Sequence, residues 1–205
     1  MKGVVEERAG VAPAEVVIDC EIQGIAPLLM SRIGPKALEQ MKGEGDRKVR
    51  SKARAESDWE DKLYREDGGQ VYAPAVWLEW TMAVAAKEFK RGRGLKTCEK
   101  LFDAAVFVEG RVSDDPGHLL LGKKEPDYTD ERTAVNQSTK GRIVVYRPAF
   151  KAGWKLGFRI RVTDPEALSA DVVNRVLVHA GRFVGVGSYR PRFGRFIVTM
   201  FQVSE

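Results

Sequence analysis

The last quarter of the chain carries the feature that most limits its fold. Residues 154–164, WKLGFRIRVTD, alternate apolar and charged side chains as a half-buried strand does. An amphipathic helix follows over 168–180, and a further strand is indicated over 194–203. Helix and strand are joined by the glycine- and arginine-rich segment GRFVGVGSYRPRFGRF (181–196). This helix-to-strand order excludes a Rossmann dinucleotide turn, which runs from strand to helix.

The preceding sequence extends this pattern to a complete α+β domain. AEVVIDCEIQGIAP (14–27) alternates as a strand, and the apolar spacing after Pro74 predicts a helix that ends near Gly92 and Gly94. Further strands are indicated around 105–112 and 142–148. With the longer segments removed, the order is βαββαβ, the ferredoxin-like (RRM-like) arrangement. We therefore expect one domain over residues 1–205, with a long insertion after the first strand and an extra strand or hairpin.

Two segments interrupt this core. Residues 35–66 are densely charged with both signs, which predicts a solvated arm, helical or mobile. Trp59 within it is expected to anchor the arm, either to its own domain or to a neighbouring subunit. Residues 113–140 are rich in turn formers and polar groups, which predicts a long loop.

Composition excludes several classes of protein. No apolar run reaches the roughly 18–20 residues of a membrane span, and the first residues lack the apolar region of a secretory signal. The two cysteines, Cys20 and Cys98, form no CxxC motif, so a disulfide framework and a cysteine zinc site are not expected. We expect a cytoplasmic protein without a membrane partner, in which both cysteines fill the core.

The charge is uneven, and the arginines of the glycine-rich segment are its most basic feature. Residues 140–205 hold 12 Lys and Arg against 4 Asp and Glu, although the whole chain carries a formal charge of only +5. Such asymmetry suggests a polyanionic partner, and a solvated basic surface is the alternative. Guanidinium groups suit phosphate and aromatic rings suit bases. The segment therefore predicts nucleic-acid binding in which arginines contact phosphate, aromatics stack and glycines let backbone approach: Arg190, Arg192, Arg195, Tyr189, Phe193, Gly185, Gly187 and Gly194. The alternative is a turn with inward aromatics and solvated arginines.

The strand over 154–164 offers a second set of cations. Lys155, Arg159 and Arg161 share its polar face, so Arg159 and Arg161 are predicted to contact phosphate on an open sheet surface. Charges that keep a strand edge from aggregating are the alternative.

No convincing catalytic or metal-binding set is found. His118 and His179 are the two histidines, and neither has a second ligand nearby in sequence. His179 on the last helix is the one candidate general base, against the commoner case of a hydrogen-bonded helix histidine. We expect no metal and no cofactor.

With these elements in place, the chain resembles the RAMP superfamily of CRISPR-associated proteins. The resemblance rests on GVGSYRPRFGRF, a glycine-rich loop between the last helix and last strand, and on the long excursion after the first strand. It implies a backbone-type subunit that grips RNA through its phosphates, with copies side by side. The segments APLLM (26–30), YRPAF…W (146–154) and AGRFVGVGSYRPRFGRF (180–196) also resemble an uncharacterised bacteriophage protein family.

The sequence thus predicts a non-enzymatic protein that binds RNA or single-stranded DNA, as a homo-oligomer or within a multi-subunit CRISPR-like or phage ribonucleoprotein. One alternative is a metal-independent endoribonuclease that uses His179. The other is an interaction protein whose basic loop meets an acidic partner.

Overall fold

A computed structural model describes residues 15–34, 38, 42, 59–92, 94, 96–135 and 141–204. The described chain is α+β. Its elements follow in the order β1 (Val16–Gly24), β2 (Leu28–Leu29), β3 (Tyr72–Pro74), α1 (Ala75–Ala85), α2 (Glu99–Ala105), β4 (Val106–Gly110), β5 (His118–Leu120), β6 (Tyr128–Val135), β7 (Arg142–Phe150), β8 (Lys155–Val162), α3 (Ala170–Phe183) and β9 (Phe196–Val203), with 3-10 turns at Glu60–Lys62 and Ala86–Glu88.

The main sheet has four antiparallel strands in the order β4-β8-β1-β9. Because side chains alternate along each strand, Ile18, Cys20 and Ile22 of β1 point into the core and their neighbours point outward. Helices α1 and α3 bury their apolar sides in the same core. The sheet therefore has one covered face and one open face.

Helix α3 follows from its amphipathic spacing. Val173, Val176, Leu177 and Ala180 recur at helical intervals, and all four are buried. The helix extends to Phe183, three residues beyond the predicted end at 180. Its last turn therefore carries Arg182 and Phe183 to the beginning of the glycine-rich segment.

A second sheet has the order β2-β7-β6, and strands β6 and β7 form a long antiparallel hairpin. The prediction of a loop over 113–140 is wrong for β5 and β6. Strand β6 was missed because its sequence, YTDERTAV, has almost no apolar alternation, and Asp130 is its one buried residue. This strand forms because it pairs with β7. Burial of its own apolar side chains contributes little.

Most of the predicted arm over 35–66 lies outside the described residues. The described part, from residue 59 onward, rejoins the domain: Leu63 is buried, and Trp59 and Tyr64 pack against the main core. Of the two alternatives for Trp59, contact with its own domain is the one observed.

Both cysteines are free and buried, as expected for core residues. Burial, with a smaller contribution from Asp19, raises the pKa of Cys20 to about 12. Among the described helices, none combines the length and apolarity that crossing a membrane requires.

Candidate functional site

The segment between α3 and β9, residues 184–195, is called the glycine loop below. Hydrogen bonds fix it to α1, to β2 and to the connection between β1 and β2. The Thr81 hydroxyl of α1 donates to the Gly185 carbonyl oxygen at 2.9 Å. The Ser188 amide donates to the Leu29 carbonyl oxygen at 2.9 Å, and the Gly194 amide donates to Pro27 at 2.8 Å. The loop is therefore a well-anchored structural element.

The three glycines serve the packing of this loop. Gly185, Gly187 and Gly194 all have positive φ values between 71° and 77°, where a side chain is strained. A Cβ on Gly187 would lie 2.6 Å from the Leu29 carbonyl oxygen, and one on Gly194 would overlap the carbonyl oxygen of Val186. The Gly185 amide already donates to Ala180. This close approach of backbone to the protein's own backbone accounts for the glycines without a ligand.

Three arginines surround an open cleft where the loop meets the end of α3. The cleft has a volume of about 490 Å³ and is lined by Arg182, Phe183, Pro191, Arg192 and Arg195. Within the described residues, no ion pair or hydrogen bond to a carboxylate is found for these three arginines. The Phe183 ring is 60% exposed at the wall of the cleft. The cleft thus combines uncompensated positive charge with an accessible aromatic face.

Arg190 points away from this cleft, toward α1. Its Cζ lies 3.9 Å from the centre of the Trp80 ring, which is 48% exposed. The guanidinium therefore stacks on the indole in a cation–π contact. Burial against the protein lowers the pKa of Arg190 from its usual value.

Tyr189 points to the β6–β7 hairpin. The Cζ of Arg147 lies 4.6 Å from the centre of the Tyr189 ring, and Arg132 lies 5.7 Å from it. Tyr189 is a non-glycine residue with φ +60° and keeps 40% of its surface exposed. Its ring is thus partly covered by arginine, and the remaining surface is accessible.

The hairpin arginines differ in how they are compensated. Arg132 donates to both carboxylate oxygens of Asp130, at 2.7 and 3.0 Å, and these bonds raise its pKa. Arg147 lies opposite Asp130 in the strand register, yet its Nε and Nη1 are buried and have no hydrogen-bond partner among the described residues. The Tyr189 ring, whose centre lies 4.6 Å from the Arg147 Cζ, is one of the groups that contact this guanidinium.

Phe193 occupies a small cluster with Leu29, Ala149 and Tyr128, and only 8% of its surface is exposed. The Arg132 Cζ lies 4.7 Å from its ring centre. Little of the Phe193 ring is therefore accessible for the predicted stacking of a base, because the ring packs beneath the loop against the second sheet.

The sheet arginines stand in a different environment from those of the cleft. On the open face of the main sheet, Arg159 pairs with Asp19 at 3.4 Å and Arg161 pairs with Glu109 at 2.8 Å. Lys155 of the same strand pairs with Glu21 at 3.4 Å. The predicted phosphate contacts of Arg159 and Arg161 would therefore compete with carboxylates already in place.

Neither histidine belongs to an evident catalytic set. The His179 ring lies 5.6 Å from Phe89 and 4.6 Å from Phe183, between centroids. His118 stacks on Tyr72 and contacts Glu66 at 3.0 Å. Hydrogen bonds from the Ser113 hydroxyl and then from His118 lower the pKa of Glu66. In the described chain, no group of three or more His, Cys, Asp or Glu residues could hold a metal ion.

The glycine loop thus directs its side chains to three places, and only part of this was predictable. Arg192 and Arg195 meet in the cleft, while Arg190 and Tyr189 diverge to α1 and the hairpin. Sequence reasoning missed the partners that complete these contacts: Phe183, Trp80, Arg132 and Arg147. The one available signal was Phe183, an aromatic residue three positions after the predicted end of the helix.

No family model and no curated protein sequence matches the chain. Among solved structures it is similar to a chain of the cryo-EM structure of the type III-B Cmr-beta bound to cognate target RNA. The TM-score is 0.51 at 10% sequence identity, over 93% of this chain and 61% of that one. This chain thus spans less than two thirds of its neighbour, and the likeness concerns the fold.

Proposed function

We propose that this chain binds single-stranded nucleic acid, RNA or DNA, and that the cleft between α3 and the glycine loop holds its phosphates. The observation that carries the proposal is the set Arg182, Arg192 and Arg195, which share one cleft and have no carboxylate partner among the described residues. Like charges held close together repel, and an anion bound between them removes this cost. Guanidinium groups also donate two parallel hydrogen bonds to phosphate.

A single strand fits the site better than a duplex does. Phe183 is exposed at the cleft wall and Tyr189 is half-exposed nearby in the loop, so two aromatic rings have surface to offer. A base can stack on such a ring only when it is not already stacked in a duplex. The volume of the cleft also falls within the usual range for small-ligand sites, about 300–1,000 Å³.

The fold supports the same proposal. We infer that the strand order β4-β8-β1-β9, with α1 between β1 and β4 and α3 between β8 and β9 in the chain, belongs to a ferredoxin-like βαββαβ core. The likeness to a chain from an RNA-bound Cmr-beta complex favours RNA as the ligand. We therefore propose a RAMP-like, non-enzymatic subunit that works beside further subunits in a CRISPR-like or phage ribonucleoprotein.

Arg159 and Arg161 belong to the proposal as weaker contacts. A phosphate that approaches them must displace Asp19 or Glu109, whereas the cleft arginines have no such competitor in the part of the chain that the structure describes. This difference supplies a matched control. Arg182→Ala/Arg192→Ala/Arg195→Ala and Lys155→Ala/Arg159→Ala/Arg161→Ala each remove three positive charges.

The experiment measures binding of labelled single-stranded RNA, single-stranded DNA and duplex over 50–200 mM salt. Each phosphate contact contributes about 0.7 to the slope of log K against log salt for single strands. The cleft triple variant should therefore lower the slope by about 2, and the sheet variant by less than 1. Absence of binding at 50 mM salt, or equal slopes for the two variants, would overturn the proposal.

The same protein preparations distinguish the two alternative functions, an endoribonuclease and an interaction protein. RNA cleavage in EDTA that disappears in His179→Ala would support the endoribonuclease. A protein that ignores both nucleic acids, yet binds an acidic polypeptide through the cleft arginines, would support the interaction protein.

A further inference from the structure

Trp80 and Arg190 form a cation–π pair beside the cleft. The phosphate contacts proposed above involve neither residue. The guanidinium lies 3.9 Å from the indole centre, and within the described residues Arg190 has no carboxylate partner. Trp80 is nearly half exposed although it belongs to α1, whose other aromatic residue, Trp77, packs against the core. An exposed tryptophan that holds an uncompensated arginine requires an explanation other than core packing.

The pair is adjacent to the cleft. Pro191 and Arg192 line the cleft, and Arg190 immediately precedes them in the chain. The Cα atoms of Arg190 and Arg192 cannot be more than about 7 Å apart, since they are two residues apart in sequence. The backbone of Arg190 therefore borders the cleft while its side chain extends toward Trp80, so a strand whose phosphate contacts Arg192 can turn a neighbouring base toward this pair.

We propose that Trp80 and Arg190 form a stacking site for one unpaired nucleobase, next to the phosphate cleft; this inference rests on the proposed function. Arg190 remains exposed, so the guanidinium presents a flat surface above the indole. Flat guanidinium groups stack on aromatic rings, and a base extends such a stack without hydrogen-bond readout. The site would accept any base.

A protein partner is the other occupant to consider. Val76 lies one turn before Trp80 on α1 and is 59% exposed, so the two residues share an apolar strip of the helix. The nucleobase is favoured because Arg190 covers the indole with a charged group and because the cleft beside it is basic. A strip of two apolar residues is also far smaller than the roughly 800 Å² per partner of a standard protein interface.

The test compares two single-stranded oligonucleotides with identical phosphates, one of them abasic at every internal position. Wild type should bind the normal oligonucleotide at least about fivefold tighter than the abasic one. Trp80→Ala should reduce that ratio and leave both the affinity for the abasic strand and the salt slope unchanged. Trp80→Phe, which keeps a ring, should retain most of the ratio. Quenching of tryptophan fluorescence by the normal strand should be smaller in Trp80→Phe than in wild type.

Arg190→Lys provides an independent arm, because lysine keeps the charge and lacks the flat guanidinium. It should lower the ratio without changing the salt slope. An unchanged ratio of affinities for the normal and abasic strands in Trp80→Ala would overturn the inference. So would a Trp80→Ala protein whose only change is its self-association, measured by sedimentation. Failure of the proposed function is distinguishable, since wild type would then bind neither oligonucleotide.

Discussion

Gly187 tests the role that the structure gives to the glycines. Its φ is +77°, and an added Cβ would lie 2.6 Å from the Leu29 carbonyl oxygen and 2.7 Å from Leu28 Cδ1. Leu28 and Leu29 are both fully buried, so neither can move into solvent to make room. Gly187→Ala should therefore destabilise the protein even when no nucleic acid is present.

The expected magnitude has two parts. A left-handed conformation costs about 1–2 kcal/mol for a residue with a Cβ. Overpacking a closed site costs about 1–3 kcal/mol more. Gly69 isolates the first part, because its φ is also +77° and no atom lies within 4 Å of its added Cβ. We expect a loss of about 1–2 kcal/mol for Gly69→Ala and of about 2–5 kcal/mol for Gly187→Ala.

Urea unfolding followed by circular dichroism measures both variants. We expect a lower free energy of unfolding for Gly187→Ala than for Gly69→Ala, with similar m-values. Equal losses in the two variants would refute it, because the close contact with β2 would then have no energetic consequence. If Gly187→Ala kept full stability and lost only nucleic-acid affinity, the result would support the predicted role of Gly187 in ligand binding.

Two further predictions concern the framework around the site. Thr81→Val removes the donor to the Gly185 carbonyl oxygen and should cost about 1–3 kcal/mol in urea unfolding. Thr81→Ser keeps the donor and loses one buried methyl group, so it should retain nucleic-acid binding and lose only about 1 kcal/mol. Full stability in the valine variant, or loss of nucleic-acid binding in the serine variant, would contradict the role of this hydrogen bond. Hydrogen bonds from the Lys123 side chain and then the Lys151 amide hold the pKa of Asp127 below its usual value. A lowered folded-state pKa gives stability that is complete above the unfolded value of about 3.9 and is lost as the pH falls toward the folded value. Asp127→Asn should therefore be about 1 kcal/mol less stable than wild type at pH 7, with a gap that closes in unfolding curves below about pH 4; a gap independent of pH would contradict the assignment.

The parts of the fold that the sequence predicted are those whose burial shows in periodicity. Strand β8 alternates without exception and helix α3 has apolar residues at helical spacing, so both were placed nearly at their observed bounds. Strand β6 could not be found in this way, because its partner β7 and the buried Asp130 hold it, and neither leaves an apolar pattern. Tertiary pairing overrode local composition there.

The candidate site shows a similar division. The loop and its arginines were visible from composition, but which arginine meets an acid depends on strand register. Arg161 is neutralised by Glu109 because β4 pairs with β8, 52 residues apart in sequence. Trp80 lies within the apolar sequence of α1, yet the helix turns it outward, where 48% of its surface is exposed. Such facts depend on how distant elements meet.

The distribution of charge compensation links the fold to the proposed function. On the open face of the main sheet, cations of β8 are matched by carboxylates of β1 and β4, as expected where solvated charges balance each other. At the cleft, the chain brings Arg182 from a helix end together with Arg192 and Arg195 from the loop, and supplies no acid among the described residues. Paired surface ions contribute little to stability, so their arrangement has little consequence for folding. Cations held together without an acid among the described residues oppose folding, and an anion bound in the cleft would account for their proximity.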